Sequence, residues 1–304
     1  MSHPLTGHEV QLSHGSYTAS VVSVGASLRS LEHQGRPLVV AFAADELRPV
    51  FRGATLAPWP NRVVDGRYTF DGAEQQLALT EPDRGHALHG LVGWTDWAVG
   101  ETTASSVVLT TELAPSGGYP HRLALTCSYA LSDAGLTQTV TARTLFDRAP
   151  YGTSAHPYLT AGGARLDTCT LTLPADRYVD TEGERLLPAG EQDVTAAPWP
   201  DFREPTVIGE AQVDHAFTGL RREADGTARV RLEAPDGFAV QMTWGTELDW
   251  VQVHTADRPE PELDRAGLAV EPMTCPPDAF RTGEDLVVLD PGQEHSASWT
   301  IARG

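Results

Sequence analysis

The chain has 304 residues, 40% of them apolar and 21% charged, with 28 glycines and 22 prolines, so a folded, turn-rich protein is expected, either two ordinary domains or one large all-β sandwich. The formal net charge is −19, and all 22 basic residues are arginines, which disfavours nucleic acid and anionic membrane and makes a neutral small molecule the easier partner. Cys127, Cys169 and Cys275 lie far apart with no CxxC pair, and the opening MSHPLTGHEVQLSHG lacks a basic-then-apolar leader; a zinc cluster, a disulfide framework and an export signal are all disfavoured, and a cytoplasmic protein with reduced thiols is expected.

Taken in chain order, the residues alternate with a period of two. YTASVVSV at 17–24 comes first, then SVVLTTEL at 106–113, RLALTCSYAL at 122–131 and GLTQTVTAR at 135–143, each the pattern of a half-buried strand. Asp65-Gly66, Asp71-Gly72, Asp133-Ala134-Gly135, Asp225-Gly226 and Asp236-Gly237 supply the positive φ that hairpin turns need. The Pro-rich stretch 188–205 reads as a long surface loop within one domain, because strands resume after it and it carries Trp199 and Phe202. The best short helix is PELDRAGL at 261–268, which starts on a proline. Many short strands without alternating helices predict antiparallel sheets in a sandwich or barrel.

Three groups of residues could carry chemistry. Between 51 and 97, Asn61, Arg62, His86 and His89 stand near Trp59, Trp94 and Trp97, a mixture of donors and apolar faces that suits a sugar ring, although the tryptophans read as core and Asn61-Arg62 also reads as a turn. His156 precedes a proline, with Tyr158 on the same side of an extended segment; its ordinary pKa suits proton transfer near neutral pH. Glu271, in LAVEPMTCPPDAF, follows an apparent strand end and precedes Pro272, which holds it extended, while the apolar flanks and Phe280 would desolvate it into a better base. Each has a bland alternative: a turn histidine, or a strand-end glutamate paired with an arginine.

The order of VGASLRSL, PWPNRV, ALHGLVGW, GYP, AHPYL, VDHAF, WVQVHT and VEPMTCPPDAF along the chain resembles the aldose 1-epimerases, the galactose mutarotase family. The resemblance implies one all-β domain over 1–304, a large antiparallel β-sandwich of the galactose mutarotase-like supersandwich type with little helix. It implies Glu271 as general base and His156 as general acid, with Asn61, Arg62, His89, Tyr158 and Asp214 around an aldose sugar. No metal or organic cofactor is implied, and the chain would act as a monomer or homodimer. Two motifs depart from the usual pattern: Ala155-His156-Pro157-Tyr158-Leu159 stands where many members have Asn-His-Ser-Tyr-Phe, and the aspartate lies in VDHAF. Other readings remain: a hexose 6-phosphate epimerase using Arg52, Arg62 and Arg67 for the phosphate, a non-catalytic sugar-binding sandwich, and a glycosidase with Asp214 as second carboxylate.

Overall fold

The computed structural model describes residues 4–304. Its largest sheet has nine strands in the order Ala98–Thr102, Ser106–Leu113, Leu123–Ser132, Gly135–Thr144, Glu294–Arg303, Ala239–Trp244, Ala228–Glu233, Thr170–Thr172 and Thr206–Val207. A six-stranded sheet runs Tyr158–Leu159, Leu268–Met273, Trp250–His254, Asp214–Leu220, Ala175–Glu182 and Leu187–Asp193, and a four-stranded sheet is built from Glu9 to Pro37. Every strand pair within these sheets is antiparallel. Leu12 and Val21, Leu125 and Val140, and Val253 and Val270 come from the three sheets and meet in one hydrophobic core. The protein is an all-β assembly of large antiparallel sheets, and its one α-helix among the described residues is the single turn Ala279–Thr282.

The four alternating segments all form strands, 106–113 to the residue. In the three later strands alternation is legible because one face meets the core and the other is more open, as the burial of Leu123–Ser132 shows, whereas Tyr17–Val22 is buried on both faces from Ala19 onward. Of the five turns, three close hairpins: Asp71-Gly72, Asp133–Gly135 and Asp236-Gly237. At Asp65-Gly66 and Asp225-Gly226 the chain instead passes from one sheet to another. A positive φ reverses the chain, but the faces to be buried decide which strands pair.

Two expected elements differ. PELDRAGL is not a helix: residues 261–265 are turns, and Arg265, at φ 49°, turns its N–H to the Ala256 carbonyl before the strand begins at Leu268. The stretch 188–205 is only partly loop, since Leu187–Asp193 is the edge strand of the six-stranded sheet, where Pro188 is tolerated. Trp199 and Phe202 are buried in the core.

The six-stranded sheet positions the site. In antiparallel register, directly opposite residues share a face, and Gln252 lies opposite Glu271 while His254 lies opposite Asp214. Their chain neighbours Val251, Val253 and Val270 point to the other face and join the core. Leu268–Met273 is therefore buried along its whole length, and Glu271 is mid-strand, not at a strand end. Pro272 fits because the pairing with Tyr158–Leu159 ends at Ala269, and the edge beyond it is bonded through the N–H groups of Val270 and Thr274, to the carbonyls of Pro157 and Thr153, on either side of the proline.

Candidate active site

One cavity of about 450 Å³ is lined by Asn61, Arg62, His89, His156, Asp214 and Glu271, together with Gln252 and His254. Such a volume suits a small ligand. Two strands, Arg62–Val64 and His86–Leu88, bring Asn61 and Arg62 beside His89. Asn61 and His89 have φ of 50° and 59°, an uncommon conformation for residues with a side chain and one that concentrates at functional sites. The His89 N–H donates to the Asn61 carbonyl at 2.8 Å, and the Asn61 side-chain oxygen accepts from the Arg62 N–H at 2.8 Å. Gly90 follows because a Cβ there would overlap the Ala57 carbonyl.

His156 is held by its backbone, its N–H donating to Ala54 and its carbonyl accepting from Gly53. Its ring stacks on Tyr158 at 5.0 Å and meets His89 edge-on at 5.1 Å. Nε2 of His156 lies 3.3 Å from Oε1 of Glu271, with both side chains almost fully buried. Oε2 of Glu271 and Nδ1 of His156 have no hydrogen-bond partner among the described residues. Tyr158 is buried behind His156 and does not line the cavity; its hydroxyl faces the Val50 carbonyl at 3.4 Å.

Burial sets the protonation of this pair. It pushes Glu271 well above the ordinary carboxyl value, with the Asp214 charge adding to the rise and Arg62 opposing it. Burial also drives His156 well below the ordinary imidazole value, helped by His89 and His254. His89 falls to about 3 through burial and the nearby Arg62 charge, so it faces a ligand as a neutral ring. For Asp214 burial works upward, but His254, Arg62 and a 2.7 Å hydrogen bond from Gln252 outweigh it and keep the carboxylate charged.

Other candidates lie elsewhere. His86 is wholly buried, with Nε2 at 2.8 Å from the Arg185 carbonyl, and is absent from the cavity wall. Trp59 and Trp97 are core residues, but Trp94 is 48% exposed, contrary to the core expectation: it lies under the Arg48 guanidinium and against Phe51. The three-arginine phosphate cradle does not form. Arg67 bonds Gln76 away from the cavity, Arg52 donates to the Ala41 carbonyl over the Tyr158 ring, and Arg62 is engaged by Glu81. Gln252 and His254 are functional candidates that the motifs alone do not mark; the signal for them is the alternation of polar residues with valine in WVQVHT, a strand with one apolar face and one polar, largely buried face.

Donor atoms of His89, His156 and Glu271 lie within 4.8 Å of one another, the one group among the described residues close enough to hold a metal ion. The cysteines are free and buried, far from such use. No helix of the described residues is long and apolar enough to cross a membrane.

Comparison with known proteins bears on the family and the fold. The family described as aldose 1-epimerase matches residues 8–302. The chain is 36% identical over 298 residues to the uncharacterized protein YihR of Escherichia coli K12, covering 97% of this chain and 93% of YihR. It is 27% identical to galactose mutarotase of Bos taurus, over 95% of this chain and 92% of that one. A crystal structure of a GalM/aldose epimerase homologue from C. elegans superposes with a TM-score of 0.86 at 19% identity, covering 97% of this chain and 99% of the other, which gives the same fold. This chain belongs to the aldose 1-epimerase family.

Proposed function

We propose that the protein interconverts the α and β anomers of a free aldohexose such as glucose or galactose, with Glu271 and His156 carrying the protons. The observation that carries this reading is their 3.3 Å contact, buried at a cavity of sugar size. As the ring opens, Glu271 takes the proton of the C1 hydroxyl, His156 gives one to the ring oxygen, and the bond between C1 and that oxygen breaks. The C1–C2 bond then rotates. On reclosure His156 recovers its proton from the C5 hydroxyl, and Glu271 returns one to the carbonyl oxygen, so the cycle needs no redox step and no net proton.

The pair therefore passes one proton between two owners. Burial of both groups favours the arrangement with Glu271 protonated and His156 neutral, the state that meets the open-chain aldehyde. The ring form needs the opposite arrangement, which Arg62 favours by supporting the Glu271 carboxylate. This differs from the resting state that a general base Glu271 and a general acid His156 suggest by themselves, a carboxylate beside an imidazolium. Arg62, His89 and Asp214 would hold the ring hydroxyls, with Asn61 fixing the turn that presents Arg62 and Tyr158 backing the His156 ring.

The chain is read as working in one domain, supported by the single core that joins all three large sheets, and in the cytoplasm, supported by three free buried thiols. A free sugar is preferred to a 6-phosphate because Arg52 and Arg67 lie off the cavity. Polarimetry of freshly dissolved α-D-glucose and α-D-galactose, with wild type, Glu271→Gln and no protein, tests the reading. Acceleration by wild type alone supports it; no acceleration of either sugar by folded wild type sinks it.

A further inference from the structure

Glu81 stands outside the acid–base pair yet lines the same cavity. Its carboxylate takes Arg62 in a fork, Nε to Oε2 at 2.7 Å and Nη2 to Oε1 at 3.1 Å, and Oε1 also accepts from Arg84 at 2.8 Å. The Glu81 and Arg62 side chains are each only 13% exposed. Glu81 is itself fixed by a tight turn, its N–H donating to the His86 carbonyl and its own carbonyl accepting from Gly85. A fork of this kind gives orientation that a single charge contact cannot.

Arg62 has two other carboxylates within charge range, Asp214 and Glu271. Facing Glu271 are His156, His89, Asp214 and Arg62, with Tyr158, His254 and Arg258 farther round. A guanidinium on a flexible stem, released from the cavity wall, has an unpaired buried carboxyl oxygen on Glu271 to turn to.

We infer that Glu81 is a positioning residue: by gripping Arg62 on the cavity wall it keeps the guanidinium from closing onto Glu271 and Asp214, and so leaves both free for the sugar. The inference rests on the reading of Glu271 as a proton carrier. Without the grip, Arg62 pairs with Glu271 and blocks the position of the C1 hydroxyl. A cation closing on the pair weakens its hold on every proton, so both limbs of the pH profile move to lower pH.

The test is a double-mutant cycle of Glu81→Gln and Arg62→Met, read by polarimetry from pH 4 to 10 with thermal melts to verify folding. Glu81→Gln alone is expected to lower kcat/KM about 10- to 100-fold and to move the limbs down by about one pH unit. In the Arg62→Met background the same change is expected to alter kcat/KM less than about twofold and to leave the limbs in place. Loss of the Glu81 charge alone would shift the limbs in both backgrounds, which would overturn the inference. Should Glu81→Gln fail to fold, Glu81→Asp, which keeps the charge and shortens the reach, runs the same cycle, and an equal loss with and without Arg62 would overturn the inference. Wild type that turns over neither sugar sinks the reading of function; active wild type with Glu81→Gln within twofold of it sinks the role of Glu81 alone.

Discussion

Gln138 and Gln252 are both 4% exposed, each on a central strand of a large antiparallel sheet, yet their surroundings differ. Gln138 is satisfied at both ends: its amide donates to Thr55 at 3.0 Å, and its oxygen accepts from the Trp299 indole at 3.0 Å. Gln252 donates to Asp214, but its oxygen is buried without a partner. In the nine-stranded sheet Gln138 is buried with its bonds closed, although the more open His295 on the same sheet keeps one buried ring nitrogen without a partner among the described residues. Around the cavity several are left open, on Gln252 and Glu271 of the six-stranded sheet and on His156 and His89 beside it. Open buried groups cost stability unless something else completes them, so the contrast between the two glutamines separates a framework position from a site position.

The largest effect that would sharpen this contrast is at Glu271. Glu271→Gln is expected to lower kcat by about 10³-fold, since it removes one partner of the acid–base pair, while raising Tm at pH 8. The sign follows from linkage. The folded-state pKa of Glu271 is raised, so its stabilising contribution is complete below the ordinary carboxyl value and is lost as pH climbs toward the raised one. Glutamine has no such loss, so its advantage grows with pH; each kcal/mol recovered is worth about 2–4 °C. A melting curve lowered at pH 8 would show that the carboxyl is well accommodated and would break the contrast.

Next in size are the two glutamines. Gln138→Leu strands the Trp299 indole and should cost about 1–3 kcal/mol, seen as a lower urea midpoint, with kcat and KM unchanged. Gln252→Leu should do the reverse: stability within about 1 kcal/mol of wild type and KM raised about tenfold, the loss of one hydrogen bond to a sugar hydroxyl and of the donor that steadies Asp214. Equal stability losses at the two positions would erase the distinction between framework and site.

The same contrast explains what could be read from sequence. In Leu123–Ser132 and Gly135–Thr144 one face is in the core and the other more open, so alternation announces both strand and register. In Trp250–His254 and Leu268–Met273 the second face is a cavity wall, so both faces are buried and Glu271 looks like a strand end when it is mid-strand. His156, Glu271, Arg62, His89 and Asp214 could be named from motifs, and they do gather at one cavity. Glu81 and Gln252 could not, because the first acts through a fork made across a turn and the second through a register that no local pattern encodes. The single turn of helix at 279–282 and the failed helix at 261–268 were decided by left-handed residues, Asp278 and Arg265, which composition does not reveal.

The smallest expected effect is in the pH profile. Two solvated groups with the ordinary values of 4.5 and 6.5 would confine activity to a narrow peak between them. Burial moves both outward and exchanges them: the lower step becomes a second proton reaching the pair, chiefly at His156, and the upper step becomes loss of the shared proton, chiefly from Glu271. Between the two steps the pair holds one proton whatever the pH, and the fraction in the ring-opening arrangement is constant. His89, held to about 3, and Asp214, held charged, do not titrate in this range. We expect kcat/KM to vary little between those two steps, measured across neutral pH in wild type and in His254→Gln, a change at the cavity histidine whose Nδ1 lies 3.8 Å from Oδ1 of Asp214. A sharp optimum near the midpoint of the ordinary values in both proteins would mean that water reaches the pair and supports its charges. The unsatisfied groups of the cavity face would then be solvated ones, and the difference between Gln252 and Gln138 would no longer mark a site.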